Sequence, residues 1–387
     1  MKAIKFWWLF CCSNLRKPFS VFFCKLEKSF SMNLKSLFHW SHIFPILSLL
    51  YYLLGVTDDS PLMAALGGLL LIAAVLSAVH HAEVVAHKVG EPFGTIILAI
   101  CITVLEVGLI VSLMMAGGNQ AATLPRDTVF AAIMLILNGI LGACLLVGGV
   151  KFKEQFFARS SGNMALIGLV AIVVMTLILP NYTTSEITPS FNNSQLIFFS
   201  VAALVIYGTF LMVQTVRHRN YFLPDGDEDT HAEPPSNLTS FISLLFLILC
   251  LGVVVFLAKS LSPQIENVVQ SFGAPESLVG VIIAAVVLLP EGLAAIKAAR
   301  RNQFQTSLNL ALGSALASIG LTIPCVAVVC IIFDLPLVLG LDTKSMILLG
   351  LSLYTVMLSL NRGKTNVLYG VVLLVNLFAY VFTVIVP

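Results

Sequence analysis

Charge is what this chain has least of. Only 10% of its 387 residues are Asp, Glu, Lys or Arg, where soluble domains carry about 25%. A water-facing surface needs roughly a quarter to a third of its residues charged, so an ordinary soluble enzyme is excluded. The charges that are present nearly cancel, 21 basic against 19 acidic for a net +2. That balance excludes a nucleic-acid binder, which neutralises phosphates with a basic patch. Among the eight cysteines no C-x-x-C pair occurs, which removes a zinc knuckle or a redox dithiol. Cys101, Cys144, Cys250, Cys325 and Cys330 sit in apolar runs, and no cofactor is expected. What is abundant is apolar side chain, 58% of the sequence. Most of the surface is therefore expected to face lipid.

Crossing a bilayer takes a helix of roughly 20 apolar residues, and eleven such stretches can be read. They are 38–56, 61–86, 94–117, 128–150, 164–180 and 195–216, then 239–259, 275–296, 305–333, 345–360 and 365–386. The expected fold is thus an all-α integral membrane protein of about eleven transmembrane helices. Orientation follows from the excess of Lys and Arg in cytoplasmic loops. His87-Lys88, Lys151 and Lys153 with Arg159, Arg217 with Arg219, Lys297 with Arg300 and Arg301, and Arg362 with Lys364 fall in alternate loops. Asp58, Asp59, Glu186, Asp334 and Asp342 fall in the others, with Arg126 and Lys344 as basic exceptions. An odd number of spans then places the N-terminus in the cytoplasm and the C-terminus outside.

Residues 1–37 stand apart. They hold Lys2, Lys5, Arg16, Lys17, Lys25, Lys28 and Lys35 against the single acid Glu27. Their apolar patch, Phe6 to Phe10, is too short to span and lacks the pattern of a secretory signal. Two readings are open: an extension upstream of a start at Met32, or a basic segment lying on anionic lipid. An extra N-terminal helix occupies 38–60. Between residues 218 and 238 runs an acidic, proline-punctuated linker, Pro224 to Pro235, read as a solvated hinge or as a cation-collecting loop. It separates residues 61–217 from residues 239–387.

Those two stretches repeat one another. Glu83, Gly90 and Pro92 share their spacing with Glu266, Gly273 and Pro275. Each group is followed by an apolar stretch with a glutamate deep inside it, Glu106 in one and Glu291 in the other. Further on, Leu137-Asn138-Gly139 lies opposite Leu312-Gly313-Ser314. Spans two to six then form one repeat and spans seven to eleven the other, in opposite topology. Two inverted five-helix repeats preceded by an extra helix are the pattern of a secondary transporter with its site between the repeats.

Glu106 and Glu291 are the leading candidate residues. An acid at a helix centre costs roughly 2.5–3.5 kcal/mol on insertion scales and persists mainly where it serves a pathway or site. Two carboxylates meeting at a pseudo-twofold axis make a hard-oxygen site for Ca²⁺ or Na⁺. Because ionised carboxylates buried together are costly, either a cation or protons would neutralise them, and the two would compete. Charge balance suggests two protons per Ca²⁺, or one per Na⁺ or K⁺. Supporting oxygens are expected from Thr103, one turn before Glu106, from Asn138, and from Asn309, Ser314 and Ser318; small polar residues equally serve close helix packing. Pro290 is expected to free the carbonyl of Val286. His80, Glu83 and His87 share a helical face. His81, Glu83, His87 and Glu91 are therefore candidates for a gate or proton sensor, or else form an ordinary interfacial turn. The spacing is not that of a zinc protease.

These residues resemble the calcium/cation antiporter superfamily, and within it the bacterial calcium/sodium(potassium):proton antiporters. The likeness runs from about residue 38 onward. It rests on His81-Ala82-Glu83, Gly90-Glu91-Pro92, Thr103-x-x-Glu106, Leu137-Asn138-Gly139 and Lys151 to Gln155 in the first half. In the second it rests on Leu289-Pro290-Glu291-Gly292, Asn309, Gly313 to Ala317 and Gly363 to Leu368. The resemblance implies cation-binding glutamates at Glu106 and Glu291, and proton-coupled movement of Ca²⁺, Na⁺ or K⁺ across a bacterial inner membrane. Leu105 departs from the superfamily's proline before the glutamate, and Gly139 and Ala143 stand where small polar ligands often occur, so the half-sites are unequal and the choice between sodium and calcium stays open. The expected partners are inorganic cations, protons and the lipid bilayer, with no nucleic acid; oligomeric state is not readable. The alternatives are a passive cation channel, which needs no proton coupling, and a membrane-embedded metal-dependent enzyme built on the His80 to His87 cluster.

Overall fold

A computed structural model describes residues 39–55, 61–90, 93–222, 235–271 and 277–386. The basic extension, Glu91 and most of the acidic linker lie outside the described residues. The fold is helical: α1 (Trp40–Leu53), α2 (Pro61–Val89), α3 (Phe93–Gly117), α4 (Ala121–Phe152), α5 (Arg159–Tyr182) and α6 (Asn193–Arg217) form the first half. After the linker come α7 (Asn237–Ser271), α8 (Ser277–Arg300), α9 (Phe304–Phe333), α10 (Thr343–Leu360) and α11 (Val367–Ile385). Among the described residues ten helices are long and apolar enough to cross a bilayer.

Local chemistry sets the ends. Gly90 closes α2 with φ +77°, a left-handed conformation that glycine adopts without steric cost. The start of α6 is a reciprocal cap in which Asn192 accepts from the Gln195 amide at 2.9 Å and Gln195 accepts from the Asn192 amide at 3.2 Å.

Three elements differ from the sequence expectation. The first span is shorter than 38–56: α1 has 14 residues, about 21 Å at 1.5 Å per residue, against a hydrocarbon core of about 30 Å. The seventh is longer than 239–259, because α7 carries its helix through Lys259 and Pro263 to Ser271. Within α4 a π-helical segment, Leu135–Ile140, inserts a wider turn around Asn138.

The packing has the symmetry the repeat requires. Matching α2–α6 with α7–α11, each contact between halves has its exchanged counterpart. Helix α3 lies on α9 and α8 on α4; α9 lies on α6 and α4 on α11; α3 lies on α7 and α8 on α2; α2–α7 and α4–α9 pair across the axis. The fold is therefore two inverted five-helix repeats with α1 added, seated on α2 and α7. Outer faces carry exposed Phe198, Val201 and Val205 on α6 and Phe378 and Phe382 on α11, as a lipid-facing surface does.

On the side carrying the basic loops a strap joins the halves. The backbone of Gln155 exchanges bonds with Thr365, giving to Thr365 Oγ1 at 2.8 Å and receiving from the Thr365 amide at 2.9 Å. The Gln155 side chain donates to the Ala299 carbonyl at 3.0 Å.

Candidate functional site

Both deep glutamates open onto one cavity of about 750 Å³. Its walls come from five helices. Helix α3 gives Leu98, Ile102, Thr103 and Glu106; α9 gives Thr306, Asn309, Ser314 and Ser318; the end of α2 gives Glu83, Ala86, His87 and Lys88; α6 gives Tyr207, Phe210 and Gln214, with Glu291 from α8. Every α3 lining residue lies between the start of that helix and Glu106, and every α9 lining residue between its start and Ser318. Those are the ends next to Lys88 and to Arg300-Arg301. The cavity thus opens on the side of the basic loops and stops near the level of Glu106, about 20 Å along α3. Beyond it Leu109, Ile110, Leu113 and Met114 pack into one buried cluster with Val279, Ile283, Val326 and Cys330, and a second, smaller cavity of about 450 Å³ runs along α3 from Thr103 to Met115.

Glu106 is 2% exposed and held from α9. Thr322 Oγ1 donates to its Oε2 at 2.6 Å, and Ser318 Oγ donates to the same oxygen at 3.3 Å. Two hydroxyl bonds to one oxygen fix the position of the carboxyl group. Glu291 is placed differently: both carboxylate oxygens are shielded and neither has a hydrogen-bond partner among the described residues. Glu106 and Glu83 are near enough to act on it electrostatically. A buried carboxylate without donors calls for a compensating charge or proton. Helix α8 runs unbroken across Pro290, which supplies no N–H to the Val286 carbonyl one turn before it.

Of the candidate supporting residues, Thr103, Asn309, Ser314 and Ser318 line this cavity. The Thr103 hydroxyl donates to the Ala99 carbonyl at 2.8 Å. Asn309 is already engaged, its amide on the Phe222 carbonyl at 2.5 Å and its oxygen accepting from Gln305 at 2.8 Å. Asn138 does not line the cavity. Fully buried within the π-helical segment, it donates to Ser352 Oγ of α10 at 2.9 Å. Of the candidate gate residues, Glu83 and His87 reach the cavity. His81 turns away from it, with Nε2 on the Ser41 carbonyl of α1 at 3.0 Å, and Glu91 lies outside the described residues. Among the described residues no three His, Cys, Asp or Glu side chains are grouped to hold a metal. Thr322 is the residue sequence reasoning missed, although Ser314, Ser318 and Thr322 recur at steps of four on one helical face.

The family described as sodium/calcium exchanger protein matches residues 59–216 and again 242–386. A putative ionic transporter y4hA from Sinorhizobium fredii is 41% identical over 341 residues, covering 86% of this chain and 92% of that protein. The sodium-potassium/proton antiporter ChaA of Escherichia coli is 35% identical over 353 residues, covering 89% and 95%. The solved structure of native YfkE superposes with a TM-score of 0.67 at 19% identity, over 90% of this chain and 99% of that one. The H⁺/Ca²⁺ exchanger CAX gives 0.64 at 13% identity, over 88% and 87%. The last two are likenesses of fold.

Proposed function

From the premise that this chain belongs to the sodium/calcium exchanger protein family, we propose that it exchanges Ca²⁺, Na⁺ or K⁺ for protons at a site formed by Glu106 and Glu291. The observation that carries this reading is one cavity lined by both acids and opening on the side of the basic loops, with buried apolar packing beyond Glu106. A passive channel needs a continuous path, so the one-sided opening supports alternating access instead. By the positive-inside rule the open side is cytoplasmic, which sets the N-terminus inside and the C-terminus outside.

The cycle follows from charge. Two ionised carboxylates facing one pocket repel, and a cation entering past Glu83 and His87 neutralises them. Hydroxyls of Ser314, Ser318 and Thr103 are hard-oxygen donors placed to share it. With its negative charge cancelled, the site can change the side it faces without exposing naked carboxylates to lipid. Release of the cation is matched by proton uptake, and the protonated site returns. Charge balance makes this two protons for Ca²⁺ and one for Na⁺ or K⁺.

The test is a pH-sensitive dye trapped with the reconstituted protein. Proton movement on adding Ca²⁺, Na⁺ or K⁺ separately identifies the cargo, and no cation-dependent proton movement overturns the reading.

A further inference from the structure

Four of the seven histidines converge where α1 seats on α2, away from the transport cavity. His39 stacks on His80 at 5.5 Å between ring centroids, His42 meets His81 edge-on at 5.1 Å, and His80 and His81 lie 5.6 Å apart. Phe246 of α7 closes the group, 4.4 Å from His42 and 5.4 Å from His81. Because the His81 Nε2 bond ends on a carbonyl, Nε2 carries the proton, and His81 Nδ1 and His42 Nδ1 are then buried without partners. The charges acting on His81 are those of His42, His80 and His39; on His42 they are His39 and His80. From α7, the third element packed here, the group is faced by the uncharged Phe246. Glu83 lies one turn from His80 on the same face of α2, yet the one charge acting on His80 is that of His39, and Glu83 is absent from those acting on His42 and His81. No three of these side chains are grouped to hold a metal ion.

We propose that His39, His42, His80 and His81 form a second proton-binding site, distinct from the transport site, through which acidification of the cavity-side compartment loosens α1 from α2 and slows transport. Histidine titrates near pH 6.5. Each imidazolium placed at this junction faces other imidazoles a few ångströms away and no neutralising carboxylate among the described residues. Protons therefore bind the parted helices better than the seated ones, and by linkage acid favours parting. The consequence reaches the cavity because α2 presents Glu83 and His87 to it within two turns of His81. The effect on transport rests on the antiport reading above; the proton site itself does not.

Trp40 reports the site directly, since its ring lies 5.5 Å from His80 and 5.7 Å from His39 and imidazolium quenches indole emission. In the reconstituted full chain carrying Trp7→Phe and Trp8→Phe, Trp40 is the sole tryptophan. Its emission is expected to change sigmoidally on acidification, and to keep doing so in the Glu106→Gln, Glu291→Gln background where transport is lost. His42→Gln and His81→Gln are expected to move the acid-side midpoint of transport down by about half a pH unit or more. His39→Gln, which leaves the Ser41–His81 bond in place, provides the same comparison in a milder variant. Flat Trp40 emission overturns the proposal, as does an unchanged acid limb in all three histidine variants. Zn²⁺ reproducing the quenching at neutral pH would reassign the cluster as a metal site.

Discussion

Thr322 Oγ1 on α9 lies 2.6 Å from Glu106 Oε2 on α3, and through that bond the first repeat's acid is held by a helix of the second. The relation is not mirrored. Glu291 faces the same cavity with neither carboxylate oxygen bonded among the described residues. One acid is held by hydroxyls of another helix and the other is not, so the two glutamates are unequal in their surroundings.

Removing the Thr322 hydroxyl while keeping its volume therefore tests the anchor. Thr322→Val is expected to lower exchange by about tenfold, the equivalent of one hydrogen bond to a charged group, and Thr322→Ser to restore most of it. Transport by equal amounts of reconstituted protein measures this. Wild-type rates in Thr322→Val would show that Ser318 alone holds Glu106.

Neutralising either acid is expected to be more severe. Glu106→Gln and Glu291→Gln each leave a single carboxylate for a divalent cation and remove a proton carrier. Exchange should fall by more than about tenfold in each variant, with folding intact by size-exclusion profile and melting temperature. Full activity in both would remove the two-glutamate site.

How much of this was legible in the sequence depended on contrast. Glu106 and Glu291 stood out because almost nothing else charged lies deep in the apolar runs, and their shared cavity follows from the inverted repeat. Of the two roles the sequence leaves to Asn138, the structure shows the packing one, a bond to Ser352 made from the π-helical segment Leu135–Ile140, which a period of 3.6 residues does not reveal. The end of α7 lies beyond 239–259 because the helix runs on past the apolar stretch through Lys259 and Pro263. A lysine near a span end extends to the interface, and the helix continues across Pro263 regardless. Thr322 carried a periodic signal, but its importance comes from a contact 216 residues away, which no local pattern contains.

The placement of Asn138 gives a contrasting expectation. Asn138→Ala should cost stability of about 1–2 kcal/mol by breaking the bond to Ser352, seen as a lower Tm in detergent. The apparent affinity for the transported cation should stay within about twofold of wild type. A tenfold loss of affinity with no change in Tm would instead put Asn138 in the transport path.

Competition at the carboxylates fixes the sign of the pH dependence. A proton on Glu106 or Glu291 removes the charge that attracts the cation, so the apparent KM for the cation on the cavity side should rise as pH falls there. Saturating cation should recover the rate over the range where only this competition acts. Initial rates measured against cation concentration at several pH values check it. A KM independent of pH would mean that cation and proton do not share the glutamates.

The direction of the opening is tested by reach. Gly313 lines the cavity, and a Cβ built there meets nothing within 4 Å, so Gly313→Cys should be accepted without disturbing α9. A Cβ at Gly370 would crowd the Gly142 carbonyl at 2.8 Å, and that position serves as a packed control expected to destabilise the fold. In a cysteine-free background, a membrane-impermeant thiol reagent should label Gly313→Cys from the side of the basic loops. The far side should give no labelling unless the transporter has turned over. Saturating cation should slow the labelling if the ion occupies the closed end between Glu106 and Glu291. Labelling from the far side at rest would mean that the buried cluster of Ile110, Leu113 and Val326 is no seal, and the channel reading would then account better for the cavity.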